Sequence, residues 1–145
     1  MEQTEPVGWG LLGLLVLVAQ STMPKSILIV DDSDTVRKVI RLFLESQIDL
    51  EVCGEAVDGV DAIDKAKELK PDLIVLDLAM PRLNGVQAAM VLKAMMPRVP
   101  IVILTLYKEL LGNALISTIG IDAVLSKPDG GWKLIDCVRS LLQAA

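Results

Sequence analysis

Four short apolar runs each stop at residues able to do chemistry. Ile27-Leu28-Ile29-Val30 runs into Asp31-Asp32, Leu73-Ile74-Val75-Leu76 into Asp77, Ile101-Val102-Ile103-Leu104 into Thr105, and Ala123-Val124-Leu125 into Ser126-Lys127-Pro128. Singly, each has an ordinary explanation: a strand-end Asp caps a helix or closes a turn, and a Lys before Pro is a solvated charge. Together they make a coherent reactive set. Three carboxylates sharing a crevice repel one another by about 1 to 4 kcal/mol per pair at ~4 Å. A hard divalent cation relieves this, and Mg²⁺ suits because it takes oxygen ligands and is held by one or two carboxylates while neutralising a phosphoryl group. Phosphoryl transfer needs an in-line nucleophile and fixed positive charge around the equatorial oxygens. Asp77 can supply the nucleophile, Mg²⁺ and Lys127 the charge, and Thr105 a hydroxyl donor.

The elements that must position these residues follow from hydrophobic periodicity. The four runs and a fifth, Leu50 to Cys53, alternate with 3.6-period stretches. That alternation predicts an α/β fold: a flavodoxin-like doubly wound (βα)5 chain with a five-stranded parallel sheet in the order 2-1-3-4-5. In such a sheet the working crevice lies beyond the carboxyl ends of the strands. For the first helix, Val36, Val39, Ile40, Phe43 and Leu44 form an apolar stripe behind a cap at Asp34 or Thr35. The second is expected over 59–69 behind Asp58, closed by Lys70-Pro71, and the third after Asn84-Gly85. The fourth is expected over 109–119, ended by Gly120, and the fifth over 131–143 with Leu134, Ile135, Val138, Leu141 and Leu142 inward. Leu110, Leu111, Leu115, Ile116 and Ile119 form an apolar set wider than one inward stripe, which suggests an interface on the fourth helix.

Composition narrows the function. The 145 residues carry 14 basic and 19 acidic side chains and no histidine. Imidazole catalysis, serine-type triads and imidazole metal sites are thereby excluded. A net charge of -5 without a basic run argues against direct nucleic-acid binding. The length suits one domain, so an attached reader domain is not expected. Cys53 and Cys137 have no metal-ligand spacing and are expected to be buried and reduced in a cytoplasmic protein. Residues 1–24 are expected to lie outside the fold. Val7 to Ala19 is uncharged and apolar, short for a membrane span at roughly 20 Å against ~30 Å of hydrocarbon, and preceded by acids rather than a signal peptide's positive charge. Met23 is the expected natural start of the chain.

From Lys25 to the carboxyl terminus the chain resembles the receiver domain of two-component response regulators, through ILIVDDSDTVRK, PDLIVLDLAMPRLNG, PIVILT and SKP in order. The resemblance implies a stand-alone receiver, not an enzyme, in which Asp77 accepts a phosphoryl group from a histidine kinase or phosphotransfer protein. It implies that Asp32, Asp77 and the Ala79 carbonyl bind Mg²⁺, Asp31 acting through water, and that Lys127 bridges to the phosphoryl oxygens. Thr105 would swing toward them, and helix four, strand five and helix five would meet a second copy or an effector. Val124 and Leu106 depart from the family's aromatic and small residues, so coupling would run through Leu106, Tyr107 and the loop backbone. Alternatives are a non-phosphorylated pseudo-receiver scaffold, or a receiver tethered to a membrane by the amino-terminal segment. A haloacid-dehalogenase-like phosphatase wants an Asp where Ala79 stands, and a flavodoxin phosphate loop would be repelled by Asp31-Asp32-Ser33-Asp34.

Overall fold

The computed structural model describes residues 10–12, 23–80, 82–106, 108–127 and 131–144. The expectations for residues 1–24 therefore fall mostly outside the described residues, and Tyr107 and Pro128 do so entirely. In chain order the elements are β1 (Lys25–Val30), α1 (Asp34–Glu45), β2 (Leu50–Ala56), α2 (Gly59–Leu69), β3 (Leu73–Leu76), α3 (Gly85–Met95), β4 (Ile101–Thr105), a 3-10 turn (Lys108–Leu110), α4 (Asn113–Ile119), β5 (Ala123–Ser126) and α5 (Gly131–Ala144). All neighbouring strands pair in parallel, in the order β2-β1-β3-β4-β5. The expected α/β architecture and strand order are those observed.

Central strands buried on both faces must be apolar at every position, and β3 and β4 are buried throughout. The pleat sends alternate residues to opposite layers. Leu28, Val30, Ile74, Leu76, Ile101 and Ile103 meet Ala62 and Ala66 of α2 and Ala88, Ala89 and Leu92 of α3. Ile27, Ile29, Leu73, Val75, Val102 and Leu104 meet Ile40 and Leu44 of α1 and Leu134 and Val138 of α5. β5, at one edge, is half-buried throughout.

Five expectations need correction. The cap of α1 is Ser33, whose hydroxyl accepts the Val36 N–H at 3.3 Å, rather than Asp34 or Thr35. The helix is also rotated relative to its apolar stripe: Arg37, Ile40 and Leu44 are buried, while Val39 is 47% exposed. Arg37 has polar partners inside, described below, and Phe43 instead lies against the start of α5, where its ring occupies the place a Gly131 side chain would need. β2 runs beyond Cys53 to Ala56, because a register shift opposite Ile27 and Leu28 absorbs one residue and lets pairing continue. The fourth helix is interrupted: Leu111 turns into the core and Gly112 is extended, leaving α4 only seven residues. The two cysteines are free and half-buried rather than buried, and burial raises both thiol pKa values.

Gly85 packs the start of α3 onto the end of β3. A Cβ there would stand 2.1 Å from the Asp77 carbonyl oxygen and 2.8 Å from Leu78 Cα, both rigid backbone. Gly85→Ala is therefore expected to cost about 1 to 3 kcal/mol. Thermal unfolding should show a melting temperature several degrees below the parent, and an unchanged one would contradict this packing.

Candidate functional site

Because β1, β3 and β4 are adjacent and parallel, the residues following them share one edge. The Asp77 N–H donates to the Val30 carbonyl at 2.8 Å, which sets the end of β3 beside the end of β1. Asp31 is 1% exposed, Asp77 5% and Thr105 0%, whereas Asp32 is exposed. One carboxylate oxygen from each of Asp31, Asp32 and Asp77 lies within 4.8 Å of the others. Lys127, immediately after β5, reaches across: its Nζ stands 2.9 Å from Asp31 Oδ2 and 3.2 Å from Asp77 Oδ1. Thr105 ends β4 in register with Ser126, the residue preceding Lys127.

Backbone N–H groups hold the same two carboxylates as well. Asp31 Oδ1 accepts the Ser33 N–H at 2.9 Å, and Asp77 Oδ1 accepts the Leu78 N–H at 2.9 Å. Burial raises the Asp77 pKa and the charge on Asp31 raises it further, against the lowering influence of Lys127. For Lys127, burial favours the neutral amine, but the hydrogen bond and charge of Asp31, together with Asp77, outweigh it and the pKa rises. Among the described residues, the Lys127 ammonium faces three carboxylates, a negative balance. The donors are all oxygen, two sunk and one open to solvent, a set that fits a hard, partly hydrated divalent cation such as Mg²⁺.

The sequence-derived residues Asp31, Asp32, Asp77 and Lys127 thus meet, and Thr105 ends the neighbouring strand at the same edge. Ala79 lies exposed two residues beyond Asp77, Val124 is half-buried, and Leu106 is 58% exposed. Sequence reasoning missed Arg37, whose guanidinium is sunk beneath the acid loop. It donates to the Asp31 carbonyl at 2.7 Å, to Glu55 Oε1 at 2.9 Å and to Asp34 Oδ1 at 3.2 Å. Arg41 binds the other Glu55 oxygen at 2.7 Å. Nothing in the local pattern separates Arg37 from a solvated helix charge, because its main partner Glu55 lies 18 residues away.

With this geometry in view, the comparisons with known proteins are consistent. Residues 27–139 match the response regulator receiver domain family, and the chain belongs to it. The response regulator protein VraR of Staphylococcus saprophyticus is 39% identical over 119 residues, a match covering 81% of this chain and 56% of that protein. The chain thus spans about half the length of the curated relatives it matches. Among solved structures, the response regulator domain of Thermotoga maritima CheB superposes with a TM-score of 0.77 at 30% identity, covering 83% of this chain and 98% of the other. A CheX–CheY–BeF3–Mg²⁺ complex from Borrelia burgdorferi has the same fold, with a TM-score of 0.76 at 22% identity, covering 85% and 92%.

The repulsion in the cleft gives a measurable signature. A carboxyl with a raised pKa binds protons more readily in the folded chain than in the unfolded one, so its contribution to stability falls as pH rises from the ordinary carboxylate range through the raised value. Asp77→Asn removes that burden. In metal-free buffer at neutral pH the variant should melt above the parent by about 2 to 4 °C for each kcal/mol relieved. The gap should close on acidification, and also when Mg²⁺ is added to both. An Asn variant that melts at or below the parent throughout would show that Lys127 already cancels the repulsion.

Proposed function

We propose that residues 25–145 form a phosphoacceptor receiver in a two-component relay, with Asp77 as the acceptor. The observation that carries this reading is the bridge of Lys127 between Asp31 and Asp77 within an all-oxygen cluster. An Asp77 carboxylate oxygen attacks the phosphorus of a partner's phosphohistidine, the P–N bond breaks, and the imidazole leaves on the partner. The histidine is read as a partner's, and the 145 residues given contain none. Mg²⁺, held by Asp32, Asp77 and the Ala79 carbonyl, with Asp31 acting through water, would supply charge neutralisation for the incoming oxygens. Support for that ion comes from the donor set here and from the Borrelia structure of the same fold, whose complex contains BeF3 and Mg²⁺.

Lys127 then exchanges part of its contact with Asp77 for the phosphoryl oxygens, and the Thr105 hydroxyl donates to another. The domain promotes its own phosphorylation and slow dephosphorylation and turns over no other substrate. Its partners are a histidine kinase or phosphotransfer protein and, through α4, β5 and α5, a second copy or an effector. We place it in the cytoplasm; among the described residues no helix is long and apolar enough to cross a membrane. The expectation that nucleic acid is no partner is not carried forward, because the chain spans only 56% of the VraR relative's length.

Incubation with Mg²⁺ and a small phosphodonor should add one phosphoryl mass to the parent and none to Asp77→Asn. Phosphate release far beyond one equivalent, or an adduct on another side chain, overturns the reading. The adduct should also be long-lived. Ala79 has no side chain able to orient a hydrolytic water, and Tyr107, two residues after Thr105, is bulky. Loss of the label within seconds in a phosphate-release assay would contradict this.

A further inference from the structure

The loop between β3 and α3 carries Ala79, yet it includes a backbone conformation that its sequence disfavours. Arg82 has φ 63°, in the left-handed region that glycine occupies freely and other residues reach only when their surroundings hold them there. Its holder is Asp58, the residue before α2, which is 4% exposed. Arg82 Nε donates to Asp58 Oδ2 at 2.7 Å, and the second guanidinium nitrogen also contacts that oxygen. The other Asp58 oxygen accepts the Asp61 N–H at 2.8 Å and so caps α2. This carboxylate is fixed on a helix end before Arg82 reaches it, and its pKa is lowered by the Asp61 N–H and by Arg82.

A second tie lies one residue further along. The Gly59 N–H donates to the Leu83 carbonyl at 3.0 Å, and a Cβ on Gly59 would stand 2.3 Å from that oxygen. At the far end of the loop, the Gly85 N–H donates to the Leu78 carbonyl at 2.9 Å. The segment 78–85 is therefore anchored by backbone bonds at Leu78 and Leu83. Of the ties named here, only the Arg82–Asp58 pair is made by side chains from both loops. Its guanidinium side is 63% exposed and its carboxylate side 6% exposed, so one partner can be removed with little loss of core.

We propose that Arg82 is a positioning residue: by pairing with the buried Asp58 it clamps the β3–α3 loop to the start of α2 and so holds Ala79 where its carbonyl can serve the cation of the acid cluster. Among the described residues Arg82 pairs with Asp58 and not with the acids of the cluster. It acts through the loop backbone, and α2 becomes part of the support of the metal site although no residue of α2 is a ligand. The inference rests on the Mg²⁺ assignment made above, but not on transfer of a phosphoryl group.

The test is Mg²⁺ titration of the full chain by calorimetry, alongside thermal unfolding without metal and phosphodonor labelling. Arg82→Ala and Asp58→Asn should each weaken Mg²⁺ binding by about tenfold, the scale of losses seen when outer partners of ligands are removed. The double variant should be no weaker than the worse single one, since both delete one interaction. Arg82→Lys should recover part of the affinity. Arg82→Gly is the decisive variant: it accepts the left-handed backbone without strain, so it should melt at or above Arg82→Ala yet bind Mg²⁺ no better. Should Arg82→Gly match the parent in Mg²⁺ affinity, or should the losses of the two single variants add, the clamp is refuted. A parent that binds no Mg²⁺ refutes it too. A parent that binds Mg²⁺ but takes no label on Asp77 refutes the receiver reading while leaving the affinities to judge the clamp.

Discussion

Repulsion among Asp31, Asp32 and Asp77, answered among the described residues by the Lys127 ammonium, is the constraint on which the rest of the structure depends. Isolated carboxylates would move apart or pick up protons. Here they cannot separate, because the strands that carry Asp31 and Asp77 are fixed by apolar burial on both faces, and the Asp77 N–H is tied to Val30 at 2.8 Å. Hydrophobic packing holds an electrostatic arrangement that electrostatics alone would dissolve. Lys127 moderates the conflict without removing it, sharing one nitrogen between Asp31 and Asp77 at 2.9 and 3.2 Å. The cleft remains short of positive charge, which suits it to a hard divalent cation and, on the proposed reading, lets that cation draw in the phosphoryl group that follows.

The contribution of each layer differs. α2 and α3 approach the sheet through Ala62, Ala66, Ala88 and Ala89, all fully buried, so their backbones lie close to the strands and their amino ends are held firmly beside the site. The opposite layer uses larger residues, Ile40 and Leu44 on α1 and Leu134 and Val138 on α5, and admits Arg37 as a buried cation. That cation is matched rather than isolated: Glu55 accepts from Arg37 and from Arg41, and its pKa falls because these two arginines outweigh the desolvation that acts to raise it. The arginine network braces the acid loop from below through the Asp31 carbonyl, while the Asp58–Arg82 pair braces the neighbouring loop from the side.

Much of this was legible in the sequence, for identifiable reasons. Solid apolar runs read directly as buried parallel strands, and the residue following each run is placed by the topology, so Asp31, Asp32, Asp77, Thr105 and Lys127 could be assigned to one edge before any coordinates. The Asp58 cap and the start of α3 after Asn84-Gly85 were legible because helix starts are set locally, and both side chains accept from backbone three residues on. The parts that could not be read depend on distant partners. Arg37 turns inward for a glutamate on β2, Arg82 adopts its left-handed backbone beside an aspartate 24 residues earlier, and the rotation of α1 follows from where Arg37 must point. The break before α4 was hidden for a related reason: apolar periodicity continues through Leu111, but the core claims that side chain from a different direction.

These differences in anchorage bear on how a change at the acid cluster could reach the surface. α4 has seven residues, a glycine at its N-cap that offers no side-chain bond, and no fully buried residue. It is far less tightly held than α2 or α3, and elements with few buried contacts are those that open or shift at low free-energy cost. It is also preceded by the segment that begins at Thr105, buried at the strand tip, and passes at once to Leu106, which is 58% exposed. A displacement of the Thr105 hydroxyl toward a ligand on Asp77 would pull on that segment, and α4 resists least. Val124, half-buried where the family often has an aromatic ring, cannot relay the motion by swinging inward. On the proposed reading, backbone between β4 and α4 would be the route from the acids to an interacting surface, and the weak anchorage of α4 would make that route passable.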